Sequence, residues 1–168
     1  MLSLVPDFAY TDIFQVTPEL LEKAGVHGLI LDLDGTLAPY EMAYPTIEHC
    51  RLIESYKDSG IQVMMLSNNS HPQRVAGFCT PLGIPYLCRA KKPLKGGFLK
   101  CAKAFGLPPA QIAVIGDQIY TDVLGAHRAG MKAIFVKSLL SGTFYEFRYL
   151  FEYAFVANAP EGNHPERR

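Results

Sequence analysis

Short apolar segments alternate along this chain with segments of helical period, and that alternation confines it to one architecture, a parallel sheet covered by helices. Five strands are predicted, at residues 28–34, 61–67, 84–87, 112–117 and 132–136. Between the first two, Ile47, Cys50, Ile53 and Tyr56 recur every three residues and the pattern stops at Gly60, which predicts a helix with Pro45 in its first turn. Further helices are predicted at 71–82, 96–105 and 122–129. Another precedes the first strand in TPELLEKAG, with Thr17 as N-cap and Pro18 at its first position. The expected fold is therefore α/β, a parallel five-stranded sheet with helices on both faces. At 168 residues the chain suits one domain, expected over residues 1–157, with a polar tail over 158–168 expected to be disordered.

Composition narrows the partners. Sixteen basic and sixteen acidic residues cancel, so no long-range field favours DNA or RNA, and no nucleic-acid partner is expected. Cys50, Cys79, Cys88 and Cys101 stand singly, without zinc-binding spacing, and are read as reduced, mostly buried thiols. The opening MLSLVPDFAY has no basic residue before its apolar part, and Pro6 and Asp7 interrupt it too early for a signal peptide. No apolar run approaches the roughly 20 residues a membrane helix requires. A cytoplasmic globular protein is expected, with at most peripheral contact to the inner face of a membrane.

In open parallel sheets, ligands bind beyond the carboxyl ends of the strands, so the residues placed there matter most. The first strand ends in LDLDGTL. Asp32 and Asp34 project on the same side of an extended chain, where their charges repel unless something positive lies between them. The second strand ends at Ser67 and Asn68, the loop after the third carries Lys91 and Lys92, and the fourth ends in GDQIYTD with Asp117 and Asp122. A hydroxyl, a lysine and four carboxylates at one edge make a divalent-cation site beside a place for a tetrahedral anion. Hard oxygen ligands of this kind suit Mg²⁺. Taken singly, each piece has a plainer reading. Asp34-Gly35 can be a turn, Ser67-Asn68 a turn or cap, Lys91 a solvated lysine, and Asp122 the N-cap of the helix that follows. His27, His49, His71 and His127 lack metal-like spacing and are read as surface or structural residues.

The ordered set DLDGTL, SN, KP and GDQIYTD resembles the haloacid dehalogenase superfamily of phosphotransferases. That resemblance implies a three-layer, Rossmann-like fold and Mg²⁺-dependent hydrolysis of a phosphomonoester. It further implies Asp32 as nucleophile, forming an aspartyl-phosphate, and Asp34 as general acid and then base. Ser67 with Asn68, and Lys92, would hold the phosphoryl oxygens. Asp32, Asp117 and the main-chain carbonyl of Asp34 would bind the metal, and Asp122 would act from behind, orienting Lys92 or a metal-bound water. No cap domain fits between the motifs, so a bulky substrate or closure by a neighbouring subunit is expected. Asp34 argues against a dehalogenase, and the absence of clustered cysteines and histidine argues against the zinc-loop sugar and histidinol phosphatases. A narrower likeness, running from LVPDF through SNN, PLGIP and AKKPLKGGF to GDQIYTDVLGAHRAGMKAIFV, is to the YqeG-type capless subfamily. It implies phosphatidylglycerophosphate, a membrane lipid headgroup, as substrate. The chain departs from that subfamily at Gly35, where Asn is frequent.

Two rival readings stand beside this one. A soluble sugar phosphate, phosphoprotein or other metabolite could replace the lipid. A non-catalytic module, either receiver-like or a scaffold, could use the same fold, although DxD spacing and the complete residue set favour the phosphatase. TFYEFRYLFEYAFV predicts a final helix with Phe144, Phe147, Phe151 and Phe155 on one stripe and Tyr145, Tyr149 and Tyr153 on the next. Its net acidity, Arg148 against Glu146 and Glu152, favours packing on the domain or on a second subunit over a membrane surface.

Overall fold

The computed structural model describes residues 3–160 and 162. Its six strands are β1 (Phe8–Tyr10), β2 (Gly28–Leu31), β3 (Gln62–Leu66), β4 (Tyr86–Leu87), β5 (Ile112–Gly116) and β6 (Lys132–Val136). They pair in parallel in the order β1-β6-β5-β2-β3-β4. The helices are α1 (Pro18–Lys23), α2 (Ile47–Asp58), α3 (Pro72–Leu82), α4 (Lys95–Phe105), α5 (Leu124–Arg128) and α6 (Thr143–Val156).

Alternation along each strand divides the core in two. Leu29, Leu31, Val63, Met65 and Ile115 meet Leu52, Ile53 and Tyr56 of α2 and Val75, Phe78 and Cys79 of α3 on one face. Ile30, Met64, Val114 and Phe135 meet Phe98 and Cys101 of α4, Ala126 of α5 and Val156 of α6 on the other. Chain direction reverses beside β2: it leads to β3 and β4 on one side, after which the chain returns to lay β5 on the other. The crevice between the carboxyl ends of β2 and β5 is thus the place where such a sheet opens to a ligand.

The observed sheet has one strand more than the five expected. β1 pairs with β6 through Phe8↔Ile134, Ala9↔Phe135 and Tyr10↔Val136. Three residues are too few to display a period, so the pairing comes from outside the segment. Asp7 accepts from the Ala133 backbone N–H at 2.8 Å, and His127 lies 3.1 Å from the same Asp7 oxygen and 2.7 Å from the Ser3 carbonyl. Other boundaries moved less. β2 stops at Leu31 and β4 keeps only two residues, α2 begins at Ile47 behind Thr46, which leaves Pro45 outside, and a π-helical turn at Ile119–Val123 precedes α5. All four cysteines are free thiols; Cys79 and Cys101 are buried, Cys50 and Cys88 half-buried. His49 is a core residue, bonded to Thr46 and to the Leu37 carbonyl. Of the expected tail, Ala159 is buried against the second half of the core, while 161 and 163–168 lie outside the described residues.

Both partners of the His127 ring are acceptors, so the ring serves them fully only as the doubly protonated cation. The Asp7 bond, opposed by partial burial, raises the His127 pKa above its ordinary 6.5. Partial burial opposes ionisation of Asp7, but the bonds from His127 and Ala133 prevail and hold it below 3.8. A raised histidine stabilises the fold fully below its unfolded value and ceases to do so as pH rises through the folded one; a lowered aspartate stabilises above its unfolded value. The pair is therefore complete between these two values. His127→Gln is expected to cost about 1 kcal/mol more at pH 5.5 than at pH 9, measured by denaturant unfolding.

Candidate active site

β2 delivers the first acid in register. The Asp32 N–H continues the ladder with β5 by donating to the Ile115 carbonyl at 3.0 Å. Beyond it the chain coils tightly, with the N–H groups of Thr36, Leu37 and Ala38 all donating to the Leu33 carbonyl. Gly35 turns this coil at φ +91° and passes so close to Asp117 that a Cβ there would stand 2.5 Å from its Oδ2. A side chain at Gly35 thus requires Asp117 to move.

Asp32, Thr36, Ser67, Lys92, Asp117 and Asp122 are all buried. Lys92 donates from Nζ to Asp32 Oδ1 and to Asp122 Oδ1, each at 2.6 Å. Thr36 Oγ1 lies 3.4 Å from Asp32 Oδ2 and 3.3 Å from Asp117 Oδ1, linking the ends of β2 and β5. Ser67 is held between its neighbours by backbone bonds, its N–H donating to Leu87 and its carbonyl accepting from Ala90, and its Oγ accepts from the Asn69 N–H at 3.0 Å. The Asn68 amide brackets the backbone of Lys92, accepting from its N–H at 2.7 Å and donating to its carbonyl at 3.2 Å. Its side chain is thus occupied in shaping the Lys92 loop. Asp122 accepts from the Gln118 N–H and lies within the π-helical turn, so it is not a helix N-cap. Lys91 is exposed, with φ +57°.

Several residues that sequence reasoning did not single out complete the site. Arg74 donates from Nε and Nη2 to Asp34 Oδ1, and Asn69 donates to Asp34 Oδ2 at 2.7 Å. Ser138 donates to Asp117 Oδ2 at 2.5 Å, and Arg148 of α6 donates to the same oxygen at 3.0 Å. Glu152, one turn further along α6, accepts from the Ile119 N–H at 2.9 Å. Thr36 lies within the DLDGTL motif and Asn69 within SNN, so both could have been flagged by position. Nothing along the chain ties Arg74, Ser138 or Arg148 to the acids they hold, and they reach the site only through folding.

The electrostatics leave an excess of negative charge. Oxygens of Asp32, Asp117 and Asp122 lie within 4.8 Å of one another. Burial pushes Asp32 up to about 6, with the Asp122 charge adding to the effect and Lys92 opposing it. Burial likewise raises Asp117, with Asp32 adding and Ser138 and Arg148 opposing, and raises Asp122 against the pull of Lys92. Its two carboxylate partners, against its own burial, hold Lys92 firmly protonated. Lys92 and Arg148 supply two positive charges to three carboxylates, so the donor set fits a divalent metal ion. In front of it opens a cavity of about 200 Å³, whose lining includes Asp32, Asp34, Tyr40, Ser67, Lys92 and Gln118. That volume accommodates a phosphoryl group with a small organic moiety attached.

Removing Lys92 strands two buried carboxylates. Lys92→Met is expected to destabilise the fold by about 3 kcal/mol. Adding Asp122→Asn should cost less than the sum of the two single changes, as measured by a denaturant double-mutant cycle.

Comparison with known proteins agrees with this geometry. A family model described as haloacid dehalogenase-like hydrolase matches residues 7–130. The probable phosphatase YqeG of Bacillus subtilis is 37% identical over 145 residues, covering 86% of this chain and 84% of that protein. The chloroplastic phosphatidylglycerophosphate phosphatase 1 of Chlamydomonas reinhardtii is 30% identical over 143 residues; these span 80% of this chain and 53% of that protein. Among solved structures, the cobalt-bound deoxy-D-mannose-octulosonate 8-phosphate phosphatase YrbI of Haemophilus influenzae shares the fold, with a TM-score of 0.55, 18% identity and coverage of 81% of this chain and 92% of that one. The chain belongs to the haloacid dehalogenase-like hydrolase family, as a phosphatase-type member with no cap domain among the described residues.

Proposed function

We propose that this protein is a Mg²⁺-dependent phosphomonoester hydrolase that works through an aspartyl-phosphate and takes phosphatidylglycerophosphate as its substrate. The observation that carries the chemistry is the pair of acids at one small cavity, each held differently: Asp32 against the Lys92 ammonium, Asp34 between Arg74 and Asn69. An Asp32 oxygen attacks phosphorus while the bond to the leaving oxygen breaks, and Asp34 passes a proton to the departing alkoxide. Water then attacks the same phosphorus, Asp34 takes its proton, and the Asp32 carboxylate is released with inorganic phosphate. Ser67 Oγ, which already accepts from Asn69, has its own proton to donate to a phosphoryl oxygen, and Lys92 neutralises charge there. Asn68 acts on the phosphate through the Lys92 loop that it shapes. Asp32, Asp117 and the Asp34 carbonyl would hold Mg²⁺, with Asp122 orienting Lys92; the ion would supply charge stabilisation for the phosphoryl oxygens.

The lipid assignment is supported by the algal relative's name, and a cavity of about 200 Å³ is compatible with it if the acyl chains of such a substrate stay outside. Phosphate release is the test. Asp32→Asn, or excess EDTA with the native protein, is expected to reduce turnover of p-nitrophenyl phosphate at least a thousandfold; full activity in either would overturn the mechanism. Asp34→Asn should cost tenfold or more beyond its effect on p-nitrophenyl phosphate when the substrate is an alkyl phosphate, whose poor leaving group needs the proton. kcat/KM for phosphatidylglycerophosphate in mixed micelles should exceed that for glycerol 3-phosphate and sugar phosphates by about a hundredfold, or roughly 3 kcal/mol. A soluble phosphate preferred by that margin would replace the lipid and leave the phosphatase.

A further inference from the structure

Helix α6 is built inside out. Two of its three charged residues, Arg148 and Glu152, point inward, to Asp117 and the Ile119 N–H, and Glu146 is exposed, whereas Phe144, Phe147, Leu150 and Phe151 are 71%, 59%, 44% and 60% exposed. Spaced by three and four residues, these four make a continuous apolar ridge along one side of the helix, larger than scattered surface residues explain. Tyr145, Tyr149 and Tyr153 flank it at half-burial.

We infer that this ridge seats in a lipid bilayer carrying anionic headgroups and turns the mouth of the site toward the membrane. The inference rests on the phosphatase reading only for its purpose. Three observations select a bilayer as the occupant. The ridge adjoins the mouth, because α6 places Arg148 on Asp117 and Tyr145 beside the hydroxyl of Tyr40, part of the cavity lining. Phenylalanine and leucine outermost with tyrosine at the boundary matches the depth order of an interfacial helix. The cations such a helix usually carries itself stand instead on the loop after β4 and on α4. Arg89, Lys91, Lys95 and Lys100 are all exposed, Leu94 is 53% exposed among them, and no acidic residue occurs between 88 and 111. This segment leaves the same carboxyl edge of the sheet on the far side of the mouth, so ridge and cations flank the site. A zero net charge then conceals a basic face complementary to an anionic surface. Packing of the ridge on a second copy would leave those cations without a role.

Vesicle flotation tests the inference with the full chain. The native protein is expected to float with phosphatidylglycerol-containing vesicles and at least tenfold less with pure phosphatidylcholine. Phe147→Ser/Phe151→Ser and Lys95→Glu/Lys100→Glu should each weaken binding to the anionic vesicles tenfold or more. Circular dichroism and turnover of soluble p-nitrophenyl phosphate should stay within twofold of the native protein. Undiminished flotation of the aromatic variant would overturn the docking assignment, as would a native dimer in sedimentation that the same variant converts to monomer. A native protein that floats but releases no phosphate from any ester would refute the phosphatase reading and leave the docking surface.

Discussion

The Lys92 ammonium, buried and 2.6 Å from both Asp32 and Asp122, is the contact on which the carboxyl edge of the sheet depends. A charge this deep is costly to bury unless every partner is in place, so such a triad contributes little net stability but tolerates few alternative geometries. It joins three separate stretches of chain: the end of β2, the loop before α4 and the turn after β5. Each stretch carries its own adjustment. Asn68 clamps the Lys92 backbone, and the helix after β5 begins with a π-helical turn that draws Asp122 inward. Gly116 leaves room beneath it, since a Cβ there would collide with the Asp122 side chain. The requirement to neutralise one buried cation thus shapes backbone on both sides of the crevice.

A second layer of support arrives from outside the region matched by the family model. Ser138 and Arg148 hold Asp117 from behind, and Glu152 anchors α6 to the Ile119 N–H. The last helix is therefore part of the scaffold that holds Asp117. Its exposed ridge and the Arg148 that supports Asp117 lie on adjoining faces of one short element, Phe144 and Phe151 standing four and three residues from Arg148.

Much of this was readable along the chain. The strands β2, β3, β5 and β6 declare themselves through runs of buried aliphatic residues, and Thr17 and Pro18 start α1 as their types require. The acids, Ser67 and Lys92 were locatable because each follows a strand, and parallel strands bring their carboxyl ends together whatever the loops do. β1 was not readable: three residues have no period, and their pairing depends on Asp7, Ala133 and His127, more than a hundred residues apart. The plainer alternative for Asp122, a helix cap, fails because the helix after β5 opens with a π-helical turn that contains it.

Helix α6 shows most clearly where local reasoning stops. Its sequence determines a helix with an aromatic stripe and three charges, and nothing more. Whether phenylalanines or tyrosines turn inward is decided by what the rest of the molecule offers, and here it offers a buried carboxylate at Asp117 and an open N–H at Ile119. Satisfying those polar groups outweighs burying the Phe stripe, because an unpaired buried charge costs more than an exposed ring. By itself, then, the sequence determined an α/β sheet and the acids, serine and lysine along its edge, since both follow from periodicity and strand order. Only the tertiary structure decided which side chains hold those acids and which face of the last helix remains uncovered, since both depend on electrostatic partners that lie far apart in the chain.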